Sequence, residues 1–216
     1  MISHGSSNIR WKAAVIQNMW LQIKRARKIT YNLMLDLRFG GLLGKVSKPR
    51  YAHIGAVETR STNYAVLPHV FEGLVKPTDV LVDVGCGRGR VILWWLSQGY
   101  KNKIIGAEID PAVAEYARRK TRKFRNVTII EGNILDNIPE DGTIFYMYNP
   151  FARPVVEKFR DRMLEKFENR KEALLLYYNC KHLDLFHNNP HWQVEEKDLT
   201  HVPSAQGSLA LIKLRV

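Results

Sequence analysis

The sequence predicts an open α/β fold: a mostly parallel sheet of seven strands with helices on both faces, an antiparallel hairpin at its C-terminal edge and an N-terminal helical extension. From residue 80 to 178, short apolar runs alternate with segments of helical period, as in parallel sheets with right-handed crossovers. The last two apolar runs follow each other without a helix, which is typical of an antiparallel hairpin. A long helical pattern precedes all of these segments.

Length and composition bound the class of protein. The chain has 216 residues, which suit one such domain with an added segment. Cys86 and Cys180 are its only cysteines, so we expect neither a disulfide framework nor a cysteine metal site. No apolar run reaches the length of a membrane span, and the N-terminus does not resemble a secretory signal. We therefore expect a cytoplasmic location, with peripheral attachment to a membrane as an option.

The positive charge lies mainly in the first fifty residues. The net charge is +12, and residues 1–50 contain ten Lys or Arg residues and a single acid, Asp36. The remaining chain is nearly balanced. We therefore divide the chain into a basic helical extension with its linker, residues 1–50, and a domain of residues 51–216. The asymmetry favours an anionic partner such as nucleic acid or a membrane surface, although a solvated helix face explains it equally well.

The extension reads as a helix over residues 9–37. Its apolar residues recur at steps of three and four, while Lys24 and Lys28 of the basic cluster 24–28 lie on the other side. We favour packing of the apolar stripe on the main domain; the alternative is a basic amphipathic helix lying on a membrane or an acidic partner. Glycines end this helix, and the polar residues 40–61 read as a linker.

Each later element follows from an apolar run, a cap or a breaker. A proline in the first turn suits two of the helices, and glycines end others. The predicted helices are Tyr64–Leu74, 89–97, Pro111–Phe124 and Pro154–Phe167. The predicted strands are Val80–Val84, Lys103–Ile109, Val127–Ile130, Thr143–Tyr148, Ala173–Tyr178, Trp192–Glu196 and Leu209–Leu214.

The most informative stretch is 80–90, a strand that carries Asp83 and then breaks into Gly85, Gly87 and Gly89 before a helix. Strand, glycine turn and helix bring bare backbone close to a nucleotide-like ligand. A phosphate-binding P-loop requires Gly-Lys-Ser/Thr, which is absent here. The third glycine falls one place early for a dinucleotide-binding turn, so that interpretation is disfavoured.

Polar residues follow the next strands in order. Glu108 ends the second strand, Gly132-Asn133 follows the third, and Asn149-Pro150-Phe151 follows the fourth. Together with the glycine stretch, these motifs resemble those of class I S-adenosylmethionine-dependent methyltransferases over about residues 59–216. The resemblance implies a Rossmann-like fold and methyl transfer to a nitrogen or oxygen nucleophile.

The resemblance implies a site for S-adenosylmethionine at the carboxyl ends of the strands. Asp83 would order the loop and meet the ammonium group, Glu108 would accept hydrogen bonds from the ribose hydroxyls, and Asn133 would recognise adenine. Cys86 lies between two ligand-facing glycines and serves as a small side chain. The cofactor-binding residues predicted in this way are Asp83, Gly85, Cys86, Gly87, Gly89, Glu108, Asn133 and Tyr64.

The acceptor side is less defined. Asn149-Pro150-Phe151 resembles the Asn-Pro-Pro-Tyr/Phe motif of amide and adenine N-methyltransferases, but the second proline is missing. The candidate bases or orienting residues are Asn149, Tyr148, Asn179 and His182. We predict no metal site, because Pro190 breaks the helical spacing of His187 and His191. The acceptor stays unidentified among protein, nucleic acid and an anionic or membrane-associated small molecule.

Two other functions stay open. A non-catalytic module could keep this fold and use the basic helix to hold nucleic acid or lipid. An NAD(P)-dependent oxidoreductase is a further alternative, which the glycine spacing disfavours. The sequence makes no prediction about the oligomeric state.

Overall fold

The computed structural model describes residues 5–44, 61–168 and 173–214. Its helices are α1 Gly5–Arg38, α2 Leu67–Phe71, α3 Arg90–Ser97, α4 Pro111–Thr121, α5 Arg153–Phe167 and α6 Asp184–His187. Its strands are β1 Val80–Val84, β2 Lys103–Glu108, β3 Val127–Glu131, β4 Ile144–Tyr148, β5 Leu174–Tyr178, β6 Trp192–Lys197 and β7 Leu209–Leu214. All seven predicted strands are present in the described residues, with ends shifted by one residue at most.

The strands form one sheet in the order β3-β2-β1-β4-β5-β7-β6. The first five pair in parallel, while β7 is antiparallel to both β5 and β6. This confirms the predicted seven-stranded sheet and its C-terminal hairpin. The order of the strands reverses between β1 and β4, and in open α/β sheets the crevice at such a switch point holds the ligand.

Apolar side chains fill the space on both faces of the sheet. One core contains residues of α2, α3 and α4, among them the fully buried Trp95. The other contains residues of α5 and α6, among them Phe159 and Phe186. The helices therefore cover both faces, as predicted, and the carboxyl ends of the parallel strands all lie along one edge.

Two predictions about the helices need correction. The helix predicted over Tyr64–Leu74 is only the five-residue α2, because Pro68 limits its first turn and Gly73 adopts a left-handed φ of 71° just after it. The short α6 was not predicted, since four residues before a proline give no periodic signal. Most of the predicted linker 40–61, including the proposed domain boundary, lies outside the described residues.

Helix α1 is longer than predicted and its apolar stripe is not packed on the domain. Ile16, Met19 and Trp20 are each more than half exposed, so the favoured interpretation of the stripe was wrong. A helix of this length spans about 50 Å, whereas a strand of five or six residues spans about 17–20 Å. Only the C-terminal part of α1 therefore reaches the core, where Leu35 and Phe39 pack. None of the described helices combines the length and the apolar character that crossing a bilayer requires.

Candidate active site

The glycine loop after β1 is held in a conformation that other residues rarely adopt. Gly85, Gly87 and Gly89 have φ values of 74°, 54° and 82°, all in the left-handed region. The N–H groups of Gly85 and Cys86 both donate to the carbonyl of Ala107 at 2.9 Å. The loop is therefore fastened to the end of β2, and Gly89 is the N-cap of α3.

The side chain of Glu108 also holds the glycine loop by a hydrogen bond. Its Oε2 accepts a hydrogen bond from the N–H of Gly87 at 2.9 Å, and its Oε1 accepts one from the N–H of Asp110 at 2.9 Å. Burial raises the pKa of this carboxyl, while these backbone donors lower it. Glu108 thus positions the loop, and its predicted contact with ribose stays a prediction.

Asp83 is a buried carboxyl that lacks part of its hydrogen bonding. It is 3% exposed, and its Oδ2 has no partner within residues 5–44, 61–168 and 173–214. Burial, and secondarily the neighbouring Glu108, raises the pKa of Asp83 to about 8. Asp83 and Glu108 are thus two neighbouring buried acids, and no cation from the described part of the chain contributes to the pKa shift of Asp83. Such a pair suits a positively charged ligand.

The other predicted cofactor residues have local partners. Cys86 is buried, and burial raises the pKa of its thiol, so it is not an activated nucleophile. Asn133 caps the turn after β3, where its Oδ1 accepts from the N–H of Leu135 at 3.1 Å. The hydroxyl of Tyr64 donates to Asp36 of α1 at 2.9 Å.

The predicted acceptor residues lie at the ends of β4 and β5. Tyr148 pairs with Tyr178 in the register of the two strands, and the following residues, Asn149 and Asn179, have φ values of 41° and 53°. Strained non-glycine residues of this kind often mark functional sites. Three of the four predicted residues therefore share one edge. The fourth, His182, lies in the next turn, and burial lowers its pKa.

The loops after β1 and β4 touch each other. A Cβ placed on Gly85 would lie 3.0 Å from Cβ of Pro150, so the glycine loop needs a residue without a side chain at this point. The adjacent Asn149 is oriented by Tyr177, whose hydroxyl donates to Asn149 Oδ1 at 2.7 Å. The glycine loop and Asn149, a predicted acceptor-side residue, are thus brought together at the switch point of the sheet.

A cavity of about 590 Å³ lies between α1 and the ends of β4 and β5. Tyr148 and Tyr178 line the sheet side, and Asn32 and Leu33 line the helix side. Its volume is in the range of small-molecule sites. The sequence analysis did not predict Tyr178 as a residue of this site, and the pattern of apolar residues along β5 alone could not identify it as one.

The junction between α1 and the domain was also missed. Asp36 is buried and accepts hydrogen bonds from Arg90 at 2.6 Å, from the hydroxyl of Tyr64 and from the N–H of Gly44 at 2.8 Å. The Arg90 guanidinium also lies over the Tyr64 ring, 4.9 Å from its centroid. The one signal in the sequence was that Asp36 is the single acid among the first fifty residues.

Comparison with known proteins agrees with this geometry. Residues 81–174 match a family model described as a methyltransferase domain. A tRNA (guanine-N(7)-)-methyltransferase of Limosilactobacillus fermentum is 32% identical over 87 residues, which are 38% of this chain and 40% of that protein. A histone H3 lysine-79 N-methyltransferase of Dictyostelium discoideum is 33% identical over 88 residues, which are 38% of this chain and 5% of that protein. The chain thus spans less than half the length of these relatives.

Among solved structures, an RNA methyltransferase from Salinibacter ruber in complex with S-adenosyl-L-homocysteine has a TM-score of 0.56 and 21% identity. The similarity covers 71% of this chain and 93% of that one. This likeness establishes the fold. The matched methyltransferase family model over residues 81–174 and the motifs at four strand ends support the resemblance to class I S-adenosylmethionine-dependent methyltransferases.

Proposed function

We propose that this chain transfers a methyl group from S-adenosylmethionine to a nitrogen or oxygen nucleophile of an acceptor bound in the cavity between α1 and the ends of β4 and β5. The observation that carries the proposal is the buried Asp83, whose Oδ2 has no partner in the described residues, beside Glu108 at the glycine loop. A ligand with positive charge completes this pair of acids.

The donor side fits the cofactor by its chemistry. S-adenosylmethionine supplies an electrophilic methyl group on a sulfonium and also carries an ammonium group. Asp83 would hold the ammonium, and the bare backbone of Gly85 and Gly87 admits the amino-acid part without a clash. Asn133 and Glu108 stand at the ends of β3 and β2, where adenine and ribose would lie.

The acceptor side contributes alignment. Methyl transfer requires the nucleophile in line with the reacting carbon, so a fixed geometry supplies much of the rate enhancement. Pro150 packs at the position where Gly85 has no side chain, and Tyr177 orients the amide of Asn149 next to it. Burial raises the pKa of Tyr177, which keeps its hydroxyl protonated as the donor in this bond. Asn149 would therefore orient the acceptor.

The named relatives do not identify the acceptor, since one acts on tRNA guanine and another on a histone lysine. The cavity supports an acceptor group that enters between Leu33 of α1 and the rings of Tyr148 and Tyr178. Such a lining suits a partly apolar acceptor group with a polar reacting end.

Calorimetry tests the donor half of the proposal. We expect S-adenosylmethionine and S-adenosylhomocysteine to bind with dissociation constants in the micromolar range or tighter, and NAD not to bind. Binding of NAD alone would support the oxidoreductase alternative. Failure of all three ligands to bind would contradict the proposed cofactor.

The acceptor half requires a labelled methyl group. The full chain is incubated with methyl-labelled S-adenosylmethionine and separate lipid, RNA, protein and small-molecule fractions of a cell extract. We expect label in one fraction, and much less label at subsaturating S-adenosylmethionine when Asp83→Asn replaces the wild type. Cofactor binding without label in any fraction would instead favour a non-catalytic binding module.

A further inference from the structure

Helix α1 carries a continuous apolar face that the described domain leaves uncovered. Eighteen residues make about five helical turns, so residues separated by eighteen positions lie on the same side of a helix. Trp11, Val15 and Met19 precede Ile29, Leu33 and Leu37 by that interval. With Ile23, these residues define an apolar stripe, and each of its members is at least 40% exposed: Trp11, Val15, Met19, Ile23, Ile29, Leu33 and Leu37.

The domain binds a different side of α1. Asn32 accepts a hydrogen bond from the N–H of Tyr64 at 3.1 Å, Asp36 pairs with Arg90, and Leu35 packs on the core. These contacts fix how α1 is rotated about its own axis. In the described part of the chain, they leave the apolar stripe turned towards solvent.

The charge on α1 is one-sided as well. Its sequence contains seven Lys or Arg residues and one acid. That acid, Asp36, is buried and paired with Arg90. Among the described side chains of α1, Arg25 and Arg27 are exposed beside the stripe, about one turn from Ile29 and Ile23. Lys24 is exposed on another side of the helix, and no exposed acid accompanies these cations. The exposed surface of α1 is therefore apolar and cationic at the same time.

Three kinds of partner can be compared with this surface. A second copy of α1 would bring cations against cations, with no exposed acid in the described helix to offset them. A nucleic acid would attract the cations but leave the stripe in water. An anionic bilayer buries apolar side chains at the level of the headgroups and attracts lysine and arginine. We propose that α1 lies along an anionic lipid bilayer through the apolar stripe.

The position of the cavity gives this binding a consequence. Ile29 and Leu33 belong to the apolar stripe and also line the cavity beside Tyr148. A helix bound to the bilayer therefore holds the mouth of the cavity at the lipid surface. The binding itself does not depend on methyl transfer, so failure of the proposed activity would leave this inference standing.

Vesicle flotation of the full chain tests the proposal. We expect binding to phosphatidylcholine vesicles that contain phosphatidylglycerol, weak binding to pure phosphatidylcholine, and loss of binding as salt rises. The double variant Met19→Gln and Ile23→Gln should lower the partition coefficient at least tenfold. The matched control, Leu21→Gln with Tyr31→Gln, removes exposed side chains on the other side of α1 and should change it little.

The cations have their own test, because each should contribute about fivefold to binding at low salt. Arg25→Gln and Arg27→Gln should lower the partition coefficient accordingly. Circular dichroism and cofactor calorimetry establish that each variant is folded. Unchanged vesicle binding of the stripe variant would overturn the proposal. A dimer in light scattering that the stripe variant dissociates would assign the stripe to a second copy, and binding of poly(U) without vesicle binding would assign α1 to nucleic acid; either result would overturn it too.

Discussion

Asp36 and Asp83 are equally buried, at 3% exposure each, and they serve opposite purposes. Asp36 receives a guanidinium, a hydroxyl and a backbone N–H, all from this chain. Asp83 faces another acid, and one of its oxygens lacks a partner in the described residues. The chain completes the hydrogen bonding of Asp36 by itself, whereas the proposed ligand would complete that of Asp83. Burial alone therefore does not distinguish a structural acid from a binding acid, but the partners do.

The two acids are connected through Arg90. This residue begins α3 directly after Gly89, the last glycine of the loop, and its guanidinium also donates to the carbonyl of Thr62 at 3.2 Å. The ion pair with Asp36 thus fixes the start of α3 as well as the end of α1. We therefore expect removal of α1 to disturb the glycine loop, since the end of α1 and the start of α3 share the Arg90 contacts.

The largest expected effect is the loss of stability in Asp36→Ala. Removing one partner leaves the buried Arg90 uncompensated, which should lower the free energy of unfolding by about 3–5 kcal/mol in urea titration. The exposed pair Lys103–Asp141 provides the control, since Asp141→Ala should cost about 0–1 kcal/mol.

If Asp36→Ala does not fold, a double variant keeps the prediction testable. Asp36→Leu with Arg90→Met leaves no buried charge unpaired and should recover much of the lost stability. A loss in Asp36→Ala no greater than that of Asp141→Ala would show that the two acids are not different in kind.

Asp83→Asn should act in the opposite direction on the ligand-free protein. The pKa of Asp83 is about 8 in the folded state, above its ordinary value of 3.8. Between these pH values the carboxyl is ionised in the unfolded chain but keeps its proton in the folded one, so the free energy of unfolding falls as pH rises. The variant should therefore melt a few degrees above the wild type at pH 8, with a smaller difference at pH 5.

The same variant should bind S-adenosylmethionine more weakly by about 1.5–3 kcal/mol, the usual contribution of a hydrogen bond to a charged group. Wild-type binding at pH 7 should release about one proton, because the cation of the ligand favours the ionised Asp83. Calorimetry in buffers of different ionisation enthalpy measures this release, which Asp83→Asn should abolish. Proton release that persists in the variant would remove Asp83 from the binding site.

The sequence pointed to Asp83 as a candidate binding acid and missed the structural Asp36 for a physical reason. Asp83 and Glu108 lie in local patterns, a strand followed by a turn, which fix them at one edge of a parallel sheet. Asp36 and Arg90 are 54 residues apart and meet only through tertiary packing. The exposure of α1 was mispredicted for a similar reason, since an amphipathic pattern indicates that a face will be covered but not by what.

A pair of glycines sharpens the contrast between the binding site and the rest of the fold. Gly85 and Gly73 have nearly the same φ, 74° and 71°, so the backbone strain of alanine should cost about 1–2 kcal/mol of stability at either position. A Cβ at Gly73 meets nothing within 4 Å, whereas one at Gly85 reaches Pro150. Gly85→Ala should therefore lose more stability than Gly73→Ala. Because Pro150 and the glycine loop must shift to admit the Cβ, the variant should also weaken cofactor binding about tenfold in calorimetry, by roughly 1.4 kcal/mol. Equal cofactor affinity in the two variants would contradict the placement of the ligand at Gly85.

The smallest effect is expected at Tyr177. Its partner Asn149 is intermediate between Asp36 and Asp83, because the chain supplies one of its hydrogen bonds and the acceptor would supply another. Tyr177→Phe removes the hydroxyl that donates to Asn149 Oδ1, a bond of about 0.5–1.5 kcal/mol. We expect kcat for the labelled acceptor to fall about three- to tenfold, with the affinity for S-adenosylmethionine unchanged. Tyr100→Phe is the control, because Tyr100 lies near Trp94 on α3, away from the strand ends. If Tyr177→Phe lowers thermal stability but leaves kcat intact, the hydroxyl supports the fold alone, and Asn149 belongs with Asp36 among the contacts that the chain completes for itself.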